Sequence, residues 1–346
     1  MQEPVEPQVI DKGLPAPGLV AHTLVSRFVD HIPYYRQETI GARSGVHTPR
    51  STLASWSGAG GAALEPLFDV HREFVLGSQV LHADETPVNI LDPGAGKTKR
   101  AYIWACARGC FDASPGVVYD FCVGRSAQYP VAFLGEWSGT LVRDEYSAYD
   151  SALKLRERKA AGCLAHARRK FDELIKDSRS PALSPVATQA VQHIAMIYRV
   201  EREARDLSPA DRMAITRSQP LWDEFHVWLK LKRNQVAEGS AIAKALNYSL
   251  NHWPALTAHL QDGRLPVDNN HIENLMRPWA MGRKAWLFCG SELAGKRAAV
   301  VMSLVVSSKL NGHDPWAYLK DVLTRLPTHL NSRIDELLPH CWQPQA

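Results

Sequence analysis

The segment VLHADETPVNI, residues 80–90, decides the fold because it is rich in strand-forming residues and bounded by turn residues. Along such a strand Val80, His82 and Asp84 share one face. Two further β-rich segments follow after turns, RAYIWACA at 100–107 and GVVYDFCV at 116–123. The three segments therefore predict three consecutive antiparallel strands.

The next part of the chain alternates between helical and strand patterns. In order, it predicts a helix at 126–137, a strand at 140–144, a helix at 147–158 and a strand near 160–165. Three meandering strands followed by this alternation are the order of an α/β fold with a ribonuclease-H-like mixed five-stranded sheet. In that fold a crossover places strand four beside strand one and parallel to it. We therefore expect Asp84, in strand one, to lie beside Asp144, at the end of strand four.

A third acid, Glu273, lies on a helix predicted to begin within DNNHIENLMRP, residues 268–278. The Asp and Asn side chains that open this segment are expected to cap the first N–H groups of the helix. Pro278 is expected to kink or end the helix and so to redirect the basic residues after it. A carboxylate in this setting is either part of a solvated ion pair or a metal ligand.

Three acids that converge would repel one another unless a cation neutralises them. The oxygen ligands of Asp84, Asp144 and Glu273 suit Mg²⁺ or Mn²⁺. Two such ions about 4 Å apart activate a nucleophile and stabilise the leaving oxygen in phosphoryl displacement. For each aspartate alone, a turn residue or a strand-end salt bridge is the alternative.

Basic residues follow the predicted acids and are expected to hold phosphates without reading bases. They are Arg168, Arg169, Lys170, Arg277, Arg283 and Lys284. A solvated charged helix face is the alternative for this group. His166 is expected either to orient the nucleophile or touch a phosphate, or to pack as an ordinary histidine.

The region before the sheet is predicted to be helical. A short helix, a turn at Gly45 and a second helix started by Thr48 and Pro49 fit a helix-turn-helix, with two helices that merely pack as the alternative. Residues 58–61, which include three glycines, are predicted to form a hinge. Three arginines would give the region phosphate affinity: Arg36, Arg43 and Arg50.

Strand signals disappear after the fifth strand, which predicts an all-helical insertion before the helix of Glu273. The predicted regions are a flexible arm at 1–20, a helix-turn-helix-like region at 21–76, the first part of the core at 77–167, the insertion at 168–263, the final core helices at 264–310 and a C-terminal helical segment at 311–346.

The composition of the 346 residues, 45% hydrophobic and 22% charged, is typical of a globular protein. No apolar run is long enough for a transmembrane helix, and the acidic, proline-rich start is not a signal peptide. Six scattered cysteines indicate reduced thiols and a cytoplasmic location. The net charge of +4 permits a polyanionic partner without requiring one.

Two motifs do not predict a site. GAGKT at 94–98 lacks the first glycine of a phosphate loop, because Leu91 stands there, and it joins two antiparallel strands. It is therefore predicted to be a hairpin loop. Two pairs of residues offer only half of a zinc site each: Cys163 with His166, and Cys106 with Cys110.

Several sequence blocks together resemble the insertion-sequence-66 family of bacterial transposases. They are HADETP at 82–87, RDEYSAY at 143–149, AHARRKF at 165–171, the segment from DNN at 268 to GS at 291, and LNGHDPWAYL at 310–319. The resemblance runs from about Leu19 to Leu326. It implies a ribonuclease-H-like core with an Asp-Asp-Glu triad, here Asp84, Asp144 and Glu273, and DNA strand cleavage and transfer at the ends of a mobile element.

The chain also departs from the family pattern. Members usually carry a longer N-terminal region with a cysteine-rich zinc module and a coiled coil, whereas the first cysteine here is Cys106. We therefore expect an N-terminally short copy. Ala285 stands where the family more often has Asn.

Three functional hypotheses follow. The first is a transposase that uses Mg²⁺ or Mn²⁺ and binds the inverted repeats of its element and target DNA. It would act as a homo-oligomer, with accessory proteins of the element as possible partners, and would associate with the nucleoid when bound to DNA. The second is a catalytically inactive copy that only binds DNA. The third is a carboxylate-pair hydrolase such as a glycosidase.

Overall fold

The computed structural model describes residues 7–10, 13–92, 94–177, 185–215 and 217–344. Its strands are β1 Val80–Asp92, β2 Lys97–Arg108, β3 Val117–Cys122, β4 Thr140–Val142 and β5 Lys159–Ala161. They form one sheet in the order β3-β2-β1-β4-β5. The pairs β1–β2 and β2–β3 are antiparallel, and β1–β4 and β4–β5 are parallel. The predicted ribonuclease-H-like topology is confirmed.

Strands β4 and β5 are shorter than predicted, with three residues each. The strand predicted near 160–165 ends at Ala161, because a helix begins at Leu164. Residues 94–96 lie in the hairpin loop between β1 and β2, where Gly94 and Gly96 have positive φ angles of 85° and 62°, and Lys97 and Thr98 begin β2. This loop is the predicted hairpin rather than a phosphate loop.

In the described residues before the sheet there are four helices: α1 Pro17–Phe28, α2 Tyr34–Arg43, α3 Arg50–Ala63 and α4 Glu65–Leu76. The turn between α2 and α3 contains Gly45 with a φ of 79°. The predicted hinge at 58–61 is wrong, since α3 continues through it. A Cβ on Gly60 would lie 2.9 Å from Val20 Cγ1, and one on Gly61 would lie 2.8 Å from Arg297 Cβ. These glycines let neighbouring elements approach closely.

Two short helices cover one face of the sheet, α5 Gln128–Leu134 and α6 Ala148–Leu153. Between β5 and residue 257, the described residues form six α-helices: α7 Leu164–Asp177, α8 Pro185–Glu203, α9 Pro209–Met213, α10 Ser218–Gln235, α11 Ala241–Asn251 and α12 Trp253–Leu256. Their shared core includes the buried Phe171, Trp222 and Phe225. The predicted insertion is helical throughout its described part. Residues 178–184 and 216 lie outside the described ranges.

The other face of the sheet is covered by α13 Asn270–Trp286 and α14 Glu292–Leu310, and α15 Pro315–Arg325 follows. The helix of Glu273 does not end at Pro278 but continues to Trp286. Every residue of 298–308 is buried, so this part of α14 is covered around its whole circumference. Among the residues that the structure describes, no helix has both the length and the apolar character needed to cross a membrane.

Two serines of α14 accept hydrogen bonds from backbone N–H groups on the outer edge of β3. The N–H of Val117 donates to Ser307 Oγ at 3.0 Å, and the N–H of Tyr119 donates to Ser303 Oγ at 2.9 Å. Both serines are fully buried. An unpaired buried N–H costs free energy, so these bonds stabilise the edge of β3 that no other strand in the described part of the chain pairs with.

Replacing both Ser303 and Ser307 with Ala is expected to lower the free energy of unfolding by about 2–5 kcal/mol, because two buried N–H groups lose their acceptors. Urea denaturation followed by circular dichroism measures this loss. Ser308→Ala is the matched control, since Ser308 is equally buried on the same helix but donates to Val305 O of its own helix. A double variant no less stable than this control would contradict the assignment.

Candidate active site

Asp84 lies in β1, and Asp144 lies just beyond the end of β4, the adjacent parallel strand. The register pairs Leu81 with Leu141 and His82 with Val142. Continuing it by two residues places Asp84 opposite Asp144, which follows the end of β4 by two residues. The predicted parallel pairing of β1 with β4 is therefore confirmed, whereas a shared site of the two aspartates stays a prediction.

Asn269 joins the start of α13 to β1. Its Nδ2 donates to Ala83 O at 2.9 Å, and its Oδ1 accepts from His82 Nδ1 at 2.9 Å. Its own N–H donates to Cys163 Sγ at 3.2 Å. Asn269 is 1% exposed, and its side chain makes no capping bond to α13. The predicted capping role is wrong for this residue, because its side chain forms hydrogen bonds with β1 instead.

Glu273 lies one turn after this attachment and faces α7. Its Oε1 is 3.6 Å from His166 Nδ1, and its Oε2 is 3.8 Å from Arg169. Neither Oε1 nor Nδ1 has a hydrogen-bond partner within the described protein, although both atoms are buried. A buried carboxylate oxygen with a free lone pair is a potential ligand atom.

The acids influence one another through their charges. Burial, and then the carboxylates of Glu85, Asp144 and Glu273, raise the pKa of Asp84 from 3.8 to about 8, against the opposing bond from the Glu85 N–H. Glu85 points to the opposite sheet face, where its carboxylate accepts from Arg125 and from Tyr149 Oη at 3.1 Å. Burial raises the pKa of Glu85 despite these bonds. The basic and hydrogen-bonding side chains around Asp84 and Glu85 therefore do not fully offset the burial and mutual repulsion of these acids.

The helical insertion reaches this region through α11. Glu145 Oε2 is 3.2 Å from His252 Nε2, which directly follows α11. Burial, and then Glu145, Cys163 and Asp144, raise the pKa of Tyr248 on the same helix. Tyr248 also lies under Lys170, whose Nζ is 5.6 Å from its ring centre. The insertion therefore contributes an aromatic side chain beside the acids.

In the described part of the chain, one group of residues brings several potential ligand atoms for a cation together. Within the described ranges, Cys163, His166 and Glu273 have ligand atoms within 4.8 Å of one another. Burial raises the pKa of Cys163 to about 12, and its sulfur already accepts backbone N–H bonds from Asn269 and His166. A protonated, hydrogen-bonded thiol is a poor ligand. Asp84, Asp144 and Glu273 do not form such a group among the described residues, and their binding of Mg²⁺ or Mn²⁺ remains a prediction.

Comparison with known sequences shows the family of this chain. A family model described as "Transposase IS66 family" matches residues 12–297. This chain belongs to the IS66 family of DDE transposases. A second family model, described as "IS66 C-terminal element", matches residues 303–340 of the same IS66 chain. The resemblance drawn from the sequence blocks is confirmed.

Related proteins occur in Sinorhizobium fredii (strain NBRC 101917 / NGR234). "Uncharacterized protein y4jD" is 37% identical over 360 residues, which cover 99% of this chain and 69% of the relative. "Uncharacterized protein y4hP" is 33% identical over 358 residues, which cover 99% of this chain and 65% of the relative. This IS66-family chain thus spans about two thirds of the length of each relative. Family membership favours the transposase hypothesis over a carboxylate-pair hydrolase.

The predicted phosphate-binding residues of this IS66 chain occupy two helices near Glu273. On α7, Arg168 pairs with Asp172 at 3.2 Å, and Arg169 and Lys170 are exposed near Glu273 and Tyr248. On α13, Arg277 and Lys284 are exposed. Arg283 differs from them, since it donates to Thr86 Oγ1 at 3.0 Å and to Pro87 O at 2.8 Å. Arg283 therefore attaches α13 to β1, and DNA binding by any of these residues remains a prediction.

The N-terminal arginines form a second basic region. Arg36 and Arg43 are exposed on α2, and Arg50 is exposed at the first residue of α3. The helices of the predicted helix-turn-helix exist, whereas its DNA binding stays a prediction. Arg50 and Lys284 line the same cavity, so the two basic regions meet there.

The sequence did not identify three residues beside the acids: Asn269 as a link to β1, Tyr248 from the insertion, and Glu85 on the opposite face. Only the adjacency of Glu85 to Asp84 was visible in the sequence. The contacts of Asn269 and Tyr248 join positions about a hundred or more residues apart in the chain, which no local pattern encodes.

Proposed function

We propose that this IS66-family protein cleaves DNA strands at the ends of its mobile element and joins them to target DNA, with Asp84, Asp144 and Glu273 as catalytic residues. The supporting observation is that Asp84 lies in register with Asp144 and has a pKa raised in part by both Asp144 and Glu273. Neighbouring acids that raise one another's pKa in this way are typical of an active site that binds a cation.

The three carboxylates would bind Mg²⁺ or Mn²⁺, in a pair of ions. Such ions lower the pKa of the attacking hydroxyl group or water and stabilise the leaving oxygen during in-line displacement. The protein's own contribution is orientation, because Asn269 attaches the helix of Glu273 to the strand of Asp84. His166 and Arg169 flank Glu273 and would position the scissile phosphate.

The DNA partners would be the inverted repeats of the element and target DNA. Exposed basic residues would hold the phosphates: Arg36, Arg43, Arg50, Arg168, Arg169, Lys170, Arg277 and Lys284. Joining two ends requires at least two copies of the chain, which sizing of the DNA-bound complex would test. We also propose a cytoplasmic, nucleoid-associated location and interaction with accessory proteins of the same element.

The test is nicking of a supercoiled plasmid that carries the element with both ends. Wild-type protein is expected to nick it with Mg²⁺ and not with EDTA. Glu273→Gln is expected to lower the rate by about 10³-fold or more, because it removes one charged ligand oxygen. Glu292→Gln is the matched control, as Glu292 is an exposed glutamate at the start of α14.

DNA binding without nicking in wild-type protein would favour the inactive DNA-binding copy instead. Equal nicking by Glu273→Gln and wild-type protein would contradict the assignment of the third acid.

A further inference from the structure

A cavity of about 840 Å³ lies between the N-terminal helices and the segment that follows α13. Its walls come from α1 to α3, from residues 284–290 and from the start of α14. The segment after α13 is fixed to the sheet, since the Cys289 N–H donates to Asn89 O at 2.8 Å and Cys289 O accepts from Leu91 N–H at 3.2 Å. The cavity therefore has a defined position relative to β1, the strand of Asp84.

The charged side chains in the lining of this cavity are all basic. Four basic residues line it, Arg27, Arg50, Lys284 and Arg297, and no Asp or Glu does so among the described lining residues. Arg297 has a carboxylate nearby, with its Nε 3.8 Å from Glu65. Within the described ranges, Arg27 has no ion-pair partner. The cavity therefore suits an anion.

The lining is also aromatic, with Tyr34, Tyr35, Trp286 and Phe288. The guanidinium of Arg27 lies over two of these rings, 4.1 Å from the centre of Tyr34 and 5.2 Å from that of Trp286. Aromatic and guanidinium planes are the surfaces on which nucleobases stack in proteins that bind single strands. A concave space with stacking planes and basic side chains fits one unpaired nucleotide better than the convex surface of a duplex.

One face of α13 connects the acids to this cavity. Arg277 follows Glu273 by four residues, and Lys284 follows Arg277 by seven. At these spacings the three side chains lie on the same face of the helix. Arg277 and Lys284 are both exposed. The 11-residue separation of Glu273 and Lys284 corresponds to about 17 Å along the helix, or about five nucleotides at the spacing of B-form DNA.

We propose that this cavity binds an unpaired nucleotide of the DNA strand whose scissile phosphate lies at the acids. The base would stack among Tyr34, Tyr35 and Phe288, and its phosphates would face Lys284 and Arg50. This assignment rests on the proposed function, since it takes DNA to be the substrate.

The test measures the binding of a fluorescein-labelled single-stranded thymidine 20-mer in EDTA, where no cleavage takes place. Ala54 is an exposed residue of α3 that lines the cavity, so Ala54→Trp would fill it. We expect Ala54→Trp to weaken single-strand binding by about tenfold, with duplex binding unchanged. Ser55→Trp is the matched control, because Ser55 is the next exposed residue of the helix and does not line the cavity.

Equal single-strand affinity of Ala54→Trp and Ser55→Trp, with both proteins folded by circular dichroism, would overturn the assignment. Competition by thymidine monophosphate at concentrations similar to those of the 20-mer would also overturn it, since the ligand would then be a free nucleotide. Because this assay contains no Mg²⁺, its outcome is independent of whether the protein nicks DNA.

Photocrosslinking provides a second readout that does not depend on a variant. A 20-mer with one 5-iodouracil is expected to crosslink to Tyr34, Tyr35 or Phe288, as identified by mass spectrometry. Crosslinks confined to residues outside the cavity would contradict the proposal.

Discussion

Replacing Asp84 with Asn is expected to abolish nicking and, in metal-free buffer at pH 8, to raise the melting temperature of the protein. The loss of nicking should be on the order of 10³-fold or more, because one charged ligand is removed. The gain in stability follows from the pKa of Asp84, which burial and the neighbouring acids raise from 3.8 to about 8.

The pH dependence of this effect has a definite sign. Between pH 4 and 8 the unfolded chain has lost the proton of Asp84 while the folded protein retains it. The stability of wild-type protein attributable to this group therefore falls as the pH rises through that window. Asn cannot ionise, so the difference in melting temperature between variant and wild-type protein should be small near pH 4 and largest near pH 8.

Mg²⁺ should reduce that difference, because it stabilises the ionised wild-type site and has a weaker site in the variant. Differential scanning fluorimetry across pH 4–8, with EDTA or with Mg²⁺, measures how this difference in melting temperature depends on pH and on the metal. Asp69→Asn is the matched control, since Asp69 is an exposed aspartate on α4. A variant less stable than wild-type protein at pH 8 in EDTA would contradict the assigned electrostatics.

Replacing Asn269 with Ala is expected to impair both stability and nicking. The change leaves His82 Nδ1 and Ala83 O, both buried, without their hydrogen bonds to Asn269. Two unsatisfied buried groups should lower the free energy of unfolding by about 2–5 kcal/mol. Burial lowers the pKa of His82 to about 3, so the imidazole is neutral near pH 7. Its Nδ1–H is then left without an acceptor in the variant.

The effect on nicking has a separate physical reason. Asn269 sets the position of Glu273 relative to Asp84, and a shift of about 1 Å in a reacting geometry costs about 10²-fold in rate. Urea denaturation and the plasmid assay measure the two effects. Asn274→Ala, at an exposed position of the same helix, should change the free energy of unfolding by less than about 0.5 kcal/mol. Full nicking activity in folded Asn269→Ala protein would rule out a positioning role.

The continuity of α13 past Pro278 sets the position of Lys284, which the sequence did not predict. Pro278 was expected to kink or end the helix, but the helix continues to Trp286, which is buried beside Trp279 and Phe28. Packing of both tryptophans in the core offsets the hydrogen bond that proline cannot donate. As a result Lys284 remains on the face of Glu273 and reaches the cavity.

The sequence by itself determined the sheet and the candidate acids. Strand composition, turn residues and the handedness of crossovers were sufficient to predict the strand order and to place Asp84 beside Asp144, because these are regularities of local structure and chain connection. Only the tertiary structure decided that Asn269 binds β1 rather than capping its helix, that Tyr248 lies beside the acids, and that α1 to α3 enclose a cavity with Lys284. Each of these depends on which distant surfaces pack together, and that choice reflects the burial of the whole chain rather than the pattern of any one segment.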